Sequence, residues 1–295
     1  MMMMTTKTKK DFSGIWVPLV TPFSADGAVD HAALRGLVER CIDAGMAGLV
    51  ALGTTGEPSA LDEAEQDAVL ATILDAAGDA LPVIIGLAGN HVPGLLARAK
   101  RLGELPVAAL LVPAPYYVRP SQAGIAEHFT RLADASAVPL VLYDIPLRTG
   151  VGIALDTLLA LAAHPNIRAI KDCAGSLETT LALIRDGRLQ VLAGNDLEIF
   201  STLCAGASGA IAASAHLQPR EFVAMHRALA DGHLIEARAA WHRLVPLITA
   251  LTAEPNPAPV KAALAQLGLL RDELRAPMTR ASDTLNERLK ALVRV

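Results

Sequence analysis

Short runs of apolar and β-branched residues recur along the chain at intervals of about 20 to 35 residues, and most are separated by stretches with apolar positions at helical spacing. This is the pattern of repeated βα units. The runs are Ile15–Val20, Gly48–Leu52, Pro82–Gly86, Val107–Val112, Pro139–Tyr143, Arg168–Lys171, Gln190–Ala193 and Ala210–Ala213. None alternates polar with apolar residues, as expected for strands buried on both faces of a parallel sheet. Eight such units within about 230 residues predict a (β/α)8 TIM barrel over residues 13–231, ahead of an open doubly wound sheet. Beyond the eighth run the spacing is helical only, over Pro219–Asp231, Leu234–Ala253, Ala258–Leu267 and Arg280–Val293, with Pro255, Pro257 and Pro277 as breaks. The first of these helices closes the barrel. The others form a C-terminal helical region over residues 232–295, joined by no linker rich enough in Gly, Ser or Pro to make it independent.

Charge and composition narrow the function. The net charge is −4 with scattered basic residues, so no footprint for nucleic acid or an anionic membrane surface is present, and a small molecule is the expected partner. Hydrophobic residues make up 52% of the chain, yet charge, Pro or Gly interrupts every apolar stretch before the roughly 18 residues a membrane helix needs. Residues 1–12 read as a flexible tail; Met1–Lys10 is positively charged but lacks an apolar core, which argues against a secretion signal and for the cytoplasm. Cys41, Cys173 and Cys204 are odd in number and far apart, which disfavours both a disulfide framework and a zinc site.

Lys171 stands out among the lysines. Lys7, Lys9 and Lys10 lie in the tail, Lys100 and Lys261 in amphipathic helical stretches and Lys290 in the charged C-terminal helix, whereas Lys171 ends a strand-like run. An ammonium taken out of water has its pKa lowered, and the neutral amine is a nucleophile able to form a Schiff base with a ketone. A lysine paired with a carboxylate at a strand end is the alternative. In a barrel of this kind the chemistry sits where strands end. The second run leads into Gly53-Thr54-Thr55-Gly56-Glu57, whose N–H groups and hydroxyls suit a carboxylate or phosphate, or which is simply a turn. The fifth ends in Tyr143, a phenol for proton transfer, with Arg148 beyond Pro146 able to fork onto a carboxylate; core packing and a surface ion pair are the plainer readings. The fourth ends in Tyr116-Tyr117, in a chain that is only 3% aromatic. Together they suit a keto acid, while the absence of Gly-x-Ser-x-Gly, of His-Glu-x-x-His and of any ligand spacing among the histidines disfavours serine and metal hydrolases.

At these residues the chain resembles the dihydrodipicolinate synthase and N-acetylneuraminate lyase family of class I aldolases. The likeness runs through Val20-Thr21-Pro22-Phe23, the Gly-Thr-Thr-Gly-Glu turn, Pro115-Tyr116-Tyr117, Tyr143-Asp144-Ile145-Pro146, Ile170-Lys171-Asp172, Asn256–Lys261 and Leu274–Thr279. It implies an imine between Lys171 and pyruvate, and a proton relay of Tyr143, Thr54 and Tyr117, the last reaching in from a neighbouring subunit of a homotetramer. It further implies Thr55 on the pyruvate carboxylate, Gly194 and Ile211 lining the site, and no metal or organic cofactor. Arg148 beside the Thr-Thr pair points to the synthase branch, in which pyruvate condenses with the small aldehyde L-aspartate 4-semialdehyde to give 4-hydroxy-tetrahydrodipicolinate, a step toward diaminopimelate and lysine. Asp144, Pro58 and the segment Gly86–Asn90 depart from the family pattern and keep open another pyruvate-dependent aldolase or dehydratase acting on a 2-keto-3-deoxy sugar acid or hydroxy-oxo acid. A non-catalytic ligand-binding barrel would be expected to lose Lys171 or a relay hydroxyl, and none is missing.

Overall fold

In a computed structural model that describes residues 11–293, eight parallel strands close into a barrel in sequence order. They are β1 (Gly14–Pro18), β2 (Gly48–Ala51), β3 (Val83–Gly86), β4 (Ala109–Pro113), β5 (Leu140–Asp144), β6 (Ile167–Asp172), β7 (Gln190–Ala193) and β8 (Gly209–Ile211). β1 pairs with both β2 and β8, which closes the ring. The predicted TIM barrel with C-terminal helices is therefore the fold.

The uniform hydrophobicity of the strands has a direct cause. Trp16, Val50, Ile84, Leu111, Val141, Ala169, Leu192 and Ile211 pack together inside the barrel, while their neighbours Val17, Leu49, Ile85, Leu110, Leu142, Ile170, Val191 and Ala210 pack outward under the helices. Both sets avoid water, so the period-2 alternation of a strand leaves no polar trace. The same period carries the inward face of β5 from Val141 to Tyr143, and that of β6 from Ala169 to Lys171. Tyr143 and Lys171 are also partners in the register of these two strands, so an amine and a phenol stand side by side at the mouth of the barrel.

At the opposite end Phe12 is fully buried and accepts, through its carbonyl, a 2.9 Å hydrogen bond from Trp16 Nε1. The tail assigned to residues 1–12 lies outside the described residues as far as Lys10, but Phe12 plugs the barrel floor and belongs to the packed chain. The helices Leu234–Leu251, Ala258–Gln266 and Asp283–Leu292 follow the last barrel helix, Pro219–Ala230. Leu244, Leu247, Ile248 and Leu289 share one buried cluster with Leu34 and Leu37 of the first barrel helix, so the C-terminal region and barrel have a common core. Among the described residues, no helix is long and apolar enough to cross a membrane.

Candidate active site

A cavity of about 590 Å³ opens at the C-terminal ends of the strands. Seven of the eight residues singled out above line it: Thr54, Thr55, Tyr143, Arg148, Lys171, Gly194 and Ile211. Tyr117 does not. It lies 90% exposed on the outside of this single chain, in a left-handed conformation (φ 70°), with its N–H donated to Thr149 O at 3.1 Å. A second cavity of about 410 Å³ shares Thr54, Tyr143 and Arg148 with the first and extends toward Tyr116.

Lys171 lies at the base of the larger cavity, 7% exposed, and its Nζ donates to the Tyr143 hydroxyl at 3.4 Å and sits 4.5 Å from the ring centroid. Gly194 makes room for it. A β-carbon at position 194 would come within 2.2 Å of Cys173 Sγ and 3.0 Å of Lys171 Cε, so only glycine lets β7 pass beside the lysine. The electrostatics correct the expectation of a neutral amine. Burial opposes the ammonium, but the Tyr143 and Cys173 side chains and the Asp196 carboxylate act the other way, and the net effect holds the Lys171 pKa above its ordinary value. Burial pushes the Cys173 thiol up to about 11, so this thiol is no nucleophile near neutrality. A raised pKa favours the ammonium, so Lys171 has a proton to lose before it attacks.

Sequence reasoning passed over three neighbours. Asp196 follows β7 by three residues, lines the cavity and accepts a 2.7 Å hydrogen bond from Ser214 N; burial raises its pKa against that bond and the pull of Lys171. The Ser214 side chain is fully buried in the cavity wall, beside the Asp196 carboxylate. Asn256, from the C-terminal region, donates Nδ2–H to Thr55 Oγ1 at 3.0 Å. A hydroxyl that accepts from an amide keeps its own proton free to donate, so Thr55 presents a donor. The signal for Asp196 is its place just past a strand end, whereas Asn256 is 201 residues from its partner and carries no such signal.

Asp144 and Asp172 form the next register pair beyond Tyr143 and Lys171, on the outward face. Thr180 Oγ1 donates to Asp172 at 2.5 Å, whereas Asp144, 2% exposed, accepts only from Ile153 N, at 3.3 and 3.4 Å. Burial pushes the Asp144 carboxyl up to about 7, opposed by Ile153 N–H and reinforced by Asp172. A carboxyl raised on folding binds more protons folded than unfolded, so its contribution is present in acid and stability is lost as pH rises from about 4 to about 7. Asp144→Asn is neutral, still accepts from Ile153 and can donate to Asp172. It should raise stability by a few kcal/mol at about pH 8 and by almost nothing at about pH 4, read as thermal midpoints at both. A wild-type gain at high pH would contradict this.

The family model for the dihydrodipicolinate synthetase family matches residues 11–295. The chain belongs to the dihydrodipicolinate synthetase family. Among curated members of this family, the 4-hydroxy-tetrahydrodipicolinate synthase of Haloarcula marismortui is 39% identical over 279 residues, covering 94% of this chain and 91% of that one. The protein of the same name from Hyphomonas neptunium is 42% identical over 275 residues, covering 91% and 92%. Among solved family structures, the dihydrodipicolinate synthase of Thermotoga maritima superposes with a TM-score of 0.93 at 30% identity, covering 96% of this chain and 98% of that one. The enzyme from Aquifex aeolicus gives 0.92 at 33% identity, covering 96% and 97%.

Proposed function

We propose that this chain condenses pyruvate with L-aspartate 4-semialdehyde to 4-hydroxy-tetrahydrodipicolinate through an imine on Lys171. The observation that carries the reading is the buried Lys171 amine 3.4 Å from the Tyr143 hydroxyl, beneath a cavity that also holds Thr54, Thr55 and Arg148. The names of the family relatives agree with it. Lys171 gives up a proton and attacks the pyruvate ketone; loss of water yields the imine. Loss of a methyl proton converts the imine to an enamine, whose carbon adds to the aldehyde. The amine of the second substrate then displaces Lys171 and closes the ring. Protons move through Tyr143, Thr54 and Tyr117, and the imine is the electron sink, so the reading requires neither metal nor organic cofactor.

The pyruvate carboxylate accepts a hydrogen bond from the Thr55 hydroxyl, whose proton Asn256 leaves free, beside Gly194 and Ile211. Arg148, on the short helix Pro146–Thr149, borders both cavities and takes the aldehyde's carboxylate. Tyr117 completes the relay from a neighbouring subunit of a homotetramer, a dimer of dimers, and its exposure on the single chain supports that placement. One similar solved structure is that of a monomeric dihydrodipicolinate synthase variant. The cytoplasm is the proposed location.

A coupled assay offering pyruvate with L-aspartate 4-semialdehyde and with a panel of sugar-acid aldols tests the substrate. The semialdehyde should be preferred, and preference for an aldol would move the chain to another branch of the family. Arg148→Ala should raise the KM for the aldehyde by about 10- to 150-fold, the equivalent of a charge-assisted contact of roughly 1.5–3 kcal/mol, while pyruvate trapping on Lys171 survives. Equal loss of both would place Arg148 on pyruvate or in the fold.

A further inference from the structure

The turn that carries Thr54 and Thr55 is bracketed by two non-glycine residues in the left-handed region, Leu52 and Glu57, each at φ 54°. Such backbone persists only where its surroundings hold it. Below the turn, Thr21 Oγ1 donates to Gly56 O at 2.7 Å. Among the described residues, the side-chain and ionic contacts to Thr55 and Glu57 come from the C-terminal region. Glu57 Oε1 meets Lys261 Nζ at 2.5 Å, with the two side chains 3% and 0% exposed. Arg275 N donates to Glu57 Oε2 at 3.4 Å, and the Arg275 guanidinium spans both oxygens of Glu65 at 2.6 and 2.7 Å.

Lys261 is itself fixed. Its Nζ donates to Glu273 O at 2.9 Å and lies 4.1 Å from the Phe23 ring centroid, with the Arg275 guanidinium 4.6 Å from the same centroid. The preceding residue, Val260, lines the main cavity. This lysine is a correction to its placement in an amphipathic stretch: Ala258, Val260, Ala262, Ala263 and Leu264 around it are all buried, and it is a cation inside the protein. A carboxylate buried at Glu57 without that cation would move toward water. Because Glu57 is only two residues from Thr55, the movement would carry both hydroxyls with it.

We propose that Lys261 is a positioning residue for the reaction: by pairing with Glu57 it holds the strained turn in the conformation that presents Thr54 and Thr55 to pyruvate, so the C-terminal helix sets pyruvate affinity. This rests on the assignment of Thr55 to the pyruvate carboxylate. A merely structural pair would affect stability and leave pyruvate binding in folded protein untouched.

Two variants separate these roles. Glu57→Gln with Lys261→Met removes both buried charges together, which avoids an orphaned ion. Glu57→Asp retains the charges but shortens the tether by one methylene. Each is first shown folded by circular dichroism and thermal melting. The readouts are the pyruvate concentration giving half-maximal borohydride trapping and the KM for each substrate. The expected result is a rise of tenfold or more in pyruvate half-saturation for both variants, with the aldehyde KM changed less than twofold. Wild-type half-saturation in either folded variant would overturn the proposal, as would an equal rise for both substrates. Failure of the wild-type protein to be trapped by pyruvate would instead contradict the proposed function.

Discussion

Replacing Lys171 with alanine should remove nearly all condensation activity, because among the described residues no other lysine lines the cavity to form the imine that serves as the electron sink. The protein should remain folded, since the substitution takes a buried cation out of the site and leaves the strand pairing of β6 intact. Lys171→Arg should be equally inactive, because a guanidinium stays protonated and is no nucleophile, although it restores the positive charge opposite Asp196. The two variants together separate charge from nucleophilicity. A coupled assay at saturating pyruvate is the measurement, and either variant retaining activity within tenfold of wild type would remove Lys171 from the chemistry.

Tyr117→Phe should lower turnover by about 10²–10⁴-fold if its hydroxyl completes the relay, although Tyr117 lies outside the cavity of its own chain. Its backbone explains how the side chain can be offered to a neighbour. Tyr117 and Arg119 both have positive φ, 70° and 48°, and the Tyr117 N–H bond to Thr149 O ties this loop to the segment carrying Arg148. The ring is held outward instead of folding back. Mixing inactive Lys171→Ala subunits with Tyr117→Phe subunits, then allowing exchange, should restore activity, because some hybrid sites receive an intact lysine and an intact tyrosine from different chains. An unchanged rate in Tyr117→Phe alone would exclude the hydroxyl from the relay.

The sequence reveals the barrel because its strands are apolar on both faces and are separated by helical stretches, and the run at Gln190–Ala193 coincides with β7. Boundaries are less legible where a turn is also apolar: Val107 and Ala108 read as strand, but β4 begins at Ala109 after a turn in which Val107 N donates to Leu105 O. Lys171 is visible because a charge interrupts a buried strand on its inward face. Lys261 is not visible, since its apolar neighbours look like one face of an amphipathic helix until the opposite face is also found buried. Its partner Glu57 sits about 200 residues away in sequence, a separation from which no local pattern can infer contact. The raised Lys171 pKa is hidden for a related reason: burial alone predicts a neutral amine, and of the groups that oppose it, Tyr143 and Asp196 are brought close by the pairing of β6 with β5 and β7, while Cys173 is its near neighbour in sequence.

Reduction with borohydride in the presence of pyruvate tests the central claim most directly, since it converts the imine into a stable secondary amine. Peptide mass spectrometry should find the three-carbon adduct on Lys171, and trapping should weaken as pH falls and the ammonium is retained. An adduct on another lysine, or none under conditions where the enzyme turns over, would contradict the Schiff-base mechanism.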